Sequence, residues 1–343
     1  MSYTGKVEIG ILKRGAYPLP NLLDEADFDN QMKTVAEPCI SRYRETGRFG
    51  ENSELFYEIY RLEPNLGTVI ICHGYMESCA KYHEFIYYLL KCGFQVGIYD
   101  QRGHGKSVRE GTDPDIVHID SFDSYVDDLK RFVDDVAVGR LNAVKSKLYL
   151  FGHSFGGCVG ARYIEDNPSA FAKVILNSPM FGINFGSLPE PVIMFISDCM
   201  IAFRQGGHRC IGQRAFDRRP NPAVSAGSSE ARYLYYHRLR TLNKEYQVSG
   251  SDYYWLREIM KAGYRARKSM ETEKIRSDIL VIMAGQDDVA DRDAQETFVS
   301  RLKYGRAVLI PESKHETFNE KNSVLKDFLS LVMSWYNPEI EDI

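Results

Sequence analysis

Apolar and polar positions follow two rhythms along this chain. Short apolar runs at residues 55–60, 68–72, 94–99, 147–151 and 173–177 have the length and the β-branched or aromatic content of buried strands. Between them lie amphipathic segments with helical spacing, at 82–92, at about 122–138 and after Ser154. Strands separated by helices predict a parallel sheet, because each crossover must return the chain to the same end. The alternation stops after Asn177. Residues 179–275 lack buried-strand runs and are rich in Tyr, Arg, Gly and Pro, until Ile279-Leu280-Val281-Ile282-Met283 and Ala307-Val308-Leu309-Ile310 restore the pattern. One α/β core, 1–178 with 276–343, is therefore expected, interrupted by an insertion at 179–275. Residues 1–50 carry an acidic patch, Asp24, Glu25, Asp27 and Asp29, which reads as a solvated arm or surface helix without a functional signal.

Composition supports a packed core. The chain has 343 residues, 44% of them apolar and 12% aromatic, enough for a full α/β core and an inserted subdomain. A net charge of −4, with no basic arm and no low-complexity tract, argues against nucleic acid as a partner. The charge is uneven: residues 179–275 hold 15 Lys or Arg against nine Asp or Glu, an excess of +6 on a chain whose total is −4. Seven cysteines, Cys39, Cys72, Cys79, Cys92, Cys158, Cys199 and Cys210, are odd in number and never spaced C-x-x-C. That usage predicts a reducing, cytoplasmic compartment and no structural zinc. The amino terminus shows no signal-peptide apolar region, and no run of about 18 apolar residues occurs. The chain is therefore expected to be soluble, or peripheral to the inner face of a membrane; its oligomeric state is not legible. The apolar piece Val192-Ile193-Met194-Phe195-Ile196 with Ile201-Ala202-Phe203 is too short to span a bilayer. Lining an acyl-chain channel, touching a membrane and packing the insertion's own core all fit it.

The chemistry centres on Gly152-His153-Ser154-Phe155-Gly156-Gly157, which follows the run Leu148-Tyr149-Leu150-Phe151 and precedes a helical segment. This is G-x-S-x-G at a strand-to-helix turn, where small neighbours let a strained serine sit at the apex. Ser154 should then project its hydroxyl into solvent at the carboxyl edge of the sheet. A serine hydroxyl needs a base within hydrogen-bond reach and a carboxylate that orients the base. In strand-turn-helix hydrolases these follow in the order Ser, acid, His. His208 and His237 lie in the insertion, whereas His315 follows the last strand-like run, in Pro311-Glu312-Ser313-Lys314-His315-Glu316. For the acid, the run 279–283 leads into Ala284-Gly285-Gln286-Asp287-Asp288: Asp287 is the first choice and Asp288 its rival. Asp291 suits the N-cap of a helix starting near Arg292. An oxyanion hole needs two backbone N–H groups, one from Phe155 and one from Tyr75, in His73-Gly74-Tyr75-Met76-Glu77-Ser78 after an early strand.

Two look-alikes fall away. Arg102-Gly103-His104-Gly105-Lys106-Ser107 resembles the end of a phosphate loop, but Asp100 stands where the first glycine is required, so a structural turn is expected. His73, His104 and His153 sit on three separate loops without supporting Cys or Asp spacing, so no metal is expected.

On these residues the chain resembles the serine α/β-hydrolases, in particular the monoacylglycerol lipase and bacterial lysophospholipase branch, from about residue 40 onward. The resemblance is carried by Glu77-Ser78 with Lys81-Tyr82, the run from Gly93-Phe94 to Asp100-Gln101-Arg102-Gly103-His104-Gly105-Lys106-Ser107, Tyr125-Val126-Asp127-Asp128-Leu129, the serine turn and Pro179-Met180-Phe181-Gly182. Within the insertion, Tyr254-Trp255-Leu256-Arg257-Glu258 with Ala262-Gly263 is similar to the lysophospholipases. It implies the α/β-hydrolase fold, a mostly parallel central sheet flanked by helices with a mainly helical cap at 179–275, and neither metal nor organic cofactor. By matching positions it puts the nucleophile on Ser154, the base on His315, the acid on Asp287 and the oxyanion N–H groups on Tyr75 and Phe155; the acid position in this branch is not uniformly aspartate. The implied activity is hydrolysis of the acyl ester of a lysophospholipid or monoacylglycerol through an acyl-enzyme. Arg204, Arg209, Arg218 and Arg219 could meet a phosphate head group or form a solvated face. An acyltransferase, a small-ester esterase and a non-catalytic binding protein are the rival readings. Ser154 excludes routes that need a carboxylate nucleophile.

Overall fold

The computed structural model describes residues 9–11, 17–268 and 270–337. Among the described residues nine strands, β1 (Ile9–Ile11), β2 (Arg44–Phe49), β3 (Leu55–Tyr60), β4 (Gly67–Cys72), β5 (Phe94–Tyr99), β6 (Leu148–His153), β7 (Lys173–Asn177), β8 (Asp278–Ala284) and β9 (Gly305–Ile310), form one sheet in the order β1-β9-β8-β7-β6-β4-β5-β3-β2. Only β3 runs against the others, pairing antiparallel with β2 and β5. The remaining pairings are parallel, as the alternation of runs and helices requires. Strands β4, β5 and β6 are buried along their whole length, which is why they read as unbroken apolar runs.

Helices cover both faces: α1 (Phe28–Gln31), α2 (Glu37–Ser41), α3 (His83–Lys91), α4 (Asp123–Arg131), α5 (Phe155–Asp166), α6 (Glu190–Ala202), α7 (Glu230–Leu242), α8 (Tyr253–Lys268), α9 (Arg292–Val299) and α10 (Asn322–Tyr336). The two-residue period of the strands divides the core. Ile70 and Leu150 point into the layer with α4, α5, α8 and α9, while Val69, Ile71, Tyr149 and Phe151 point toward α3 and α10. Residues 179–275 contribute no strand to this sheet among the described residues and hold α6, α7 and α8. Helix α8 packs on α5 of the core, and α6 on α8. All seven cysteines are free thiols. Among the described residues no helix is long and apolar enough to cross a membrane.

Of the two readings of the amino-terminal part, the solvated arm is not met and the surface helix is: short helical turns carry the acidic residues on their outer side. Leu23, Phe28, Met32, Ala36 and Ile40 are buried in the α3 and α10 layer, the last four spaced one helical turn apart. The acidic patch is used for anchoring. Asp24 accepts the Ala26 N–H at 3.0 Å; Glu25 accepts the Ser229 hydroxyl and the Asn322 N–H at 2.7 Å each; Asp29 pairs with Arg238. Beside it the Arg232 guanidinium, 2% exposed, donates twice to Glu84 at 2.7 Å. The patch faces arginines of α7, which offset its charge.

Candidate active site

Strand β6 ends at His153 and α5 begins at Phe155, so Ser154 alone makes the turn, with φ 53° and ψ −117°. This positive φ is strained for a side-chain-bearing residue, and the close packing around it holds the strain. A Cβ on Gly156 would lie 2.1 Å from the Cys72 carbonyl oxygen, and one on Gly152 2.9 Å from the Gly156 carbonyl oxygen. Backbone fills both spaces, which is the local reason for glycine on either side of the serine.

The hydroxyl of Ser154 donates to His315 Nε2 at 2.8 Å. His315 Nδ1 lies 2.8 and 3.0 Å from the two carboxylate oxygens of Asp287. A carboxylate at Nδ1 keeps the proton there and leaves the Nε2 lone pair facing the serine. Asp287 is itself fixed by the N–H groups of Val289 and Ala290, each donating to Oδ1 at 2.9 Å. Burial pushes its carboxyl up, but the hydrogen bond and charge of His315, aided by those two N–H groups, hold it below the usual carboxylate range. Asp288 is exposed, and the contact goes to its neighbour. Asp291 caps α9, accepting from the Asp293 and Ala294 N–H groups at 2.8 and 3.3 Å. His237 instead donates to the Asp217 carbonyl at 2.9 Å.

Phe155 is the first residue of α5, so its N–H has no acceptor within the helix and stands at the positive end of the helix dipole. Tyr75 follows β4 in a turn whose preceding N–H, that of Gly74, donates to Glu77 Oε2 at 2.6 Å. Among the described residues neither the Tyr75 nor the Phe155 N–H is engaged in a hydrogen bond.

The expectation that Ser154 faces solvent is not met: the residue is 3% exposed. Aromatic rings close the elbow in. Trp255 of α8 stacks on Tyr75 with centroids 4.3 Å apart and lies 5.5 Å from Phe155, while Tyr125 and His104 reach Phe155 at 4.8 and 5.9 Å. Sequence reasoning quoted Trp255 only for its resemblance and gave it no place here. Its signal was the helical spacing of the apolar residues Trp255, Ile259, Met260 and Gly263, which puts one face of α8 onto the core.

The look-alikes resolve structurally. Asp100 is buried and accepts the Cys79 and Lys106 N–H groups at 2.7 Å each, and a Cβ on Gly105 would sit 2.0 Å from its carboxylate. The Lys106 amide of the loop turns inward onto the aspartate, and the Gly103, His104 and Ser107 amides are taken by backbone carbonyls. His73 donates from Nδ1 to the Gly74 carbonyl at 2.8 Å and accepts the Gln101 N–H at Nε2 at 2.9 Å, using both nitrogens; burial lowers its pKa and keeps it neutral. Burial likewise lowers His153 to about 4. Of the four arginines singled out, Arg219 pairs with Asp217 at 3.0 Å and Arg209 donates to the Arg214 carbonyl at 3.3 Å, while Arg204 and Arg218 are exposed.

The chain is similar to known proteins. Lysophospholipase L2 of Escherichia coli (strain K12) is 28% identical over 288 residues, covering 81% of this chain and 82% of its own length. A probable lysophospholipase L2 of Haemophilus influenzae is 26% identical, covering 78% of this chain and 83% of its own length. A soluble variant of monoglyceride lipase from Saccharomyces cerevisiae, solved with a substrate analog, superimposes with a TM-score of 0.66 at 15% identity over 85% of this chain and 94% of its own, a likeness of fold. The family model described as serine aminopeptidase, S33, matches residues 63–322. With a serine at the strand-to-helix turn of a mostly parallel sheet, the chain belongs to that family and is a serine hydrolase of the α/β-hydrolase fold.

Proposed function

We propose that this protein hydrolyses the single acyl ester of a lysophospholipid or monoacylglycerol through an acyl-enzyme on Ser154. The observation that carries this is the continuous relay from Ser154 Oγ to His315 Nε2 and from His315 Nδ1 to Asp287, each link 2.8 Å long. Ser154 attacks the ester carbonyl as its proton passes to His315 Nε2, and Asp287 steadies the imidazolium. The Tyr75 and Phe155 N–H groups receive the developing oxyanion, worth about 3–4 kcal/mol per donor in enzymes where one has been removed. His315 then protonates the departing glycerol oxygen, and water enters by the same base to release the fatty acid.

The substrate class is supported from two sides. Lysophospholipase is the name carried by relatives that cover four fifths of the chain, as with the Escherichia coli protein at 81%. Residues 179–275 act as the cap: their excess of +6 suits a phosphate or an anionic surface, and the exposed Phe195 and Phe203 suit contact with lipid. An aminopeptidase, which the family's description names, must accept a free cationic amine, and a basic cap disfavours it.

The test is release of fatty acid from lysophosphatidylcholine, monoacylglycerol and short p-nitrophenyl esters, with wild type beside Ser154→Ala. Serine-dependent release that favours the phosphorylated lipid is expected; preference for the glyceride moves the activity to monoacylglycerol lipase. Product appearing on an added lipid alcohol instead of as free acid identifies an acyltransferase. No serine-dependent turnover on any ester leaves a binding protein.

A further inference from the structure

Behind the serine centre lies a set of buried charges that the proton relay does not use. Lys81, whose side chain is 8% exposed, places Nζ 2.8 Å from Glu77 Oε1 and 2.5 Å from Glu316 Oε1. Glu77, 4% exposed at its side chain, uses its other oxygen to accept the Gly74 N–H and the Tyr82 hydroxyl, each at 2.6 Å. Gly74 immediately precedes Tyr75. Glu316 immediately follows His315, and its second oxygen accepts from the Asn319 amide at 2.8 Å. The rings of Tyr236, from α7, and Phe318 flank the ammonium at 5.3 and 5.9 Å. His153, the residue before Ser154, lies with Nε2 3.9 Å from Glu77 Oε1 and its ring 5.0 Å from that of His315.

One ammonium thus joins the loop that presents the Tyr75 N–H to the loop that presents His315. A buried ion triplet is weak evidence for stability, since a well-packed apolar trio often serves as well or better. What charges supply that apolar contacts do not is fixed direction, and direction is what an oxyanion donor and a base require of each other. Burial pushes the Glu77 carboxyl up, but Lys81 outweighs it and keeps it ionised. The Gly74 amide therefore meets a full negative charge and forms a charge-assisted hydrogen bond.

We infer that Lys81, through Glu77 and Glu316, is a positioning residue that sets the Tyr75 N–H and His315 at their working separation. The inference rests on the proposed ester hydrolysis. It predicts a loss in kcat and not in substrate binding, because the triplet acts on the Tyr75 loop and on His315, groups that serve the transition state.

The experiment measures kcat and KM on p-nitrophenyl butyrate, with a thermal melt for every variant. Lys81→Met is expected to lower kcat by roughly 10²-fold with KM within about twofold. Lys81→Arg, which keeps the charge and can bridge both carboxylates, should recover most of that loss. Glu316→Gln should lower kcat by roughly tenfold, and combining it with Lys81→Met should add little, because both cut the same strut. A folded Lys81→Met with wild-type kcat, an Arg variant no better than Met, or losses that multiply in the double variant would overturn the inference. Should Lys81→Met fail to fold, Glu316→Gln decides: an unchanged kcat overturns it. Ser154→Ala keeping full activity would sink the hydrolase proposal instead, so the two failures are distinct.

Discussion

Helices α8 and α6 belong to the same insertion and meet their surroundings in opposite ways. Helix α6 is the more apolar in sequence, yet among its residues only Ser197 is buried; Ile193, Met194, Met200 and Ile201 are half-buried on the α8 side, and Phe195 is 68% exposed. Phe203, just past its end, is 76% exposed. Helix α8 carries Arg257, Glu258, Lys261 and Arg265, yet buries Trp255, Leu256, Ile259, Met260 and Ala262 and sets Trp255 against Tyr75 and Phe155. Burial follows where apolar side chains point, not how many there are. A stripe finds the core, whereas a helix apolar all round leaves a face for something else to cover.

This contrast between inward and outward positions can be broken most forcefully at two adjacent carboxylates. Asp287→Asn should cut kcat by roughly 10³–10⁴-fold, as loss of the orienting carboxylate does in other serine enzymes. Asp288→Asn should stay within about twofold; equal losses on a short p-nitrophenyl ester would break the distinction. Next, Trp255→Ala should cost about 3–5 kcal/mol of unfolding free energy and lower kcat roughly tenfold, while Phe195→Ala should stay within about 0.5 kcal/mol; urea melts and the same ester assay compare them.

Buried charge gives a smaller, pH-dependent version of the contrast. His83 sits between Glu37 at 2.6 Å and Glu58 at 2.9 Å. Burial pushes its pKa down, but the two carboxylates more than reverse this and raise it to about 9. A pKa raised above 6.5 on folding means the stabilisation is complete below about pH 6.5 and is lost as pH climbs through about 9. On the order of 2 kcal/mol should disappear between pH 7 and 10, and His83→Gln should flatten that part of the profile; a parallel fall in both proteins would show that His83 is not responsible. The smallest effect belongs to the outward face. Phe195→Ser combined with Phe203→Ser should leave turnover of a soluble ester unchanged and slow that of vesicle-borne monoacylglycerol a few-fold. Equal rates on vesicles would deny that face a lipid role.

Much of this was legible in the sequence because buried strands have little freedom: β3 through β8, nearly all of whose residues are buried, announce themselves as apolar runs. The elbow was legible because backbone contacts at Gly152 and Gly156 exclude other residues. What escaped has physical reasons. Strand β2, Arg-Glu-Thr-Gly-Arg-Phe, lies at the sheet edge with mostly exposed or half-exposed side chains, so nothing forces an apolar pattern on it. The four-residue spacing of Phe28, Met32, Ala36 and Ile40 was present but masked by the acidic patch, whose partners lie about 200 residues away, as for Ser229 and Glu25. Enclosure of Ser154 was invisible because it depends on a helix of the insertion lying across the core. Lys81 and Glu316 are 235 positions apart, and only the folded chain brings them together.

The amino-terminal stretch also binds the insertion to the core. Phe28 stands edge-on to Tyr235 with the Arg232 guanidinium over its ring, and Glu25 holds both Ser229 and the start of α10. That end of the insertion is pinned like the spine of a book. At the other end α6 is tied to α8 through Arg267 and Glu190 at 2.9 Å while Phe195 and Phe203 stay bare, so one insertion has a bound spine along α7 and an uncovered edge along α6.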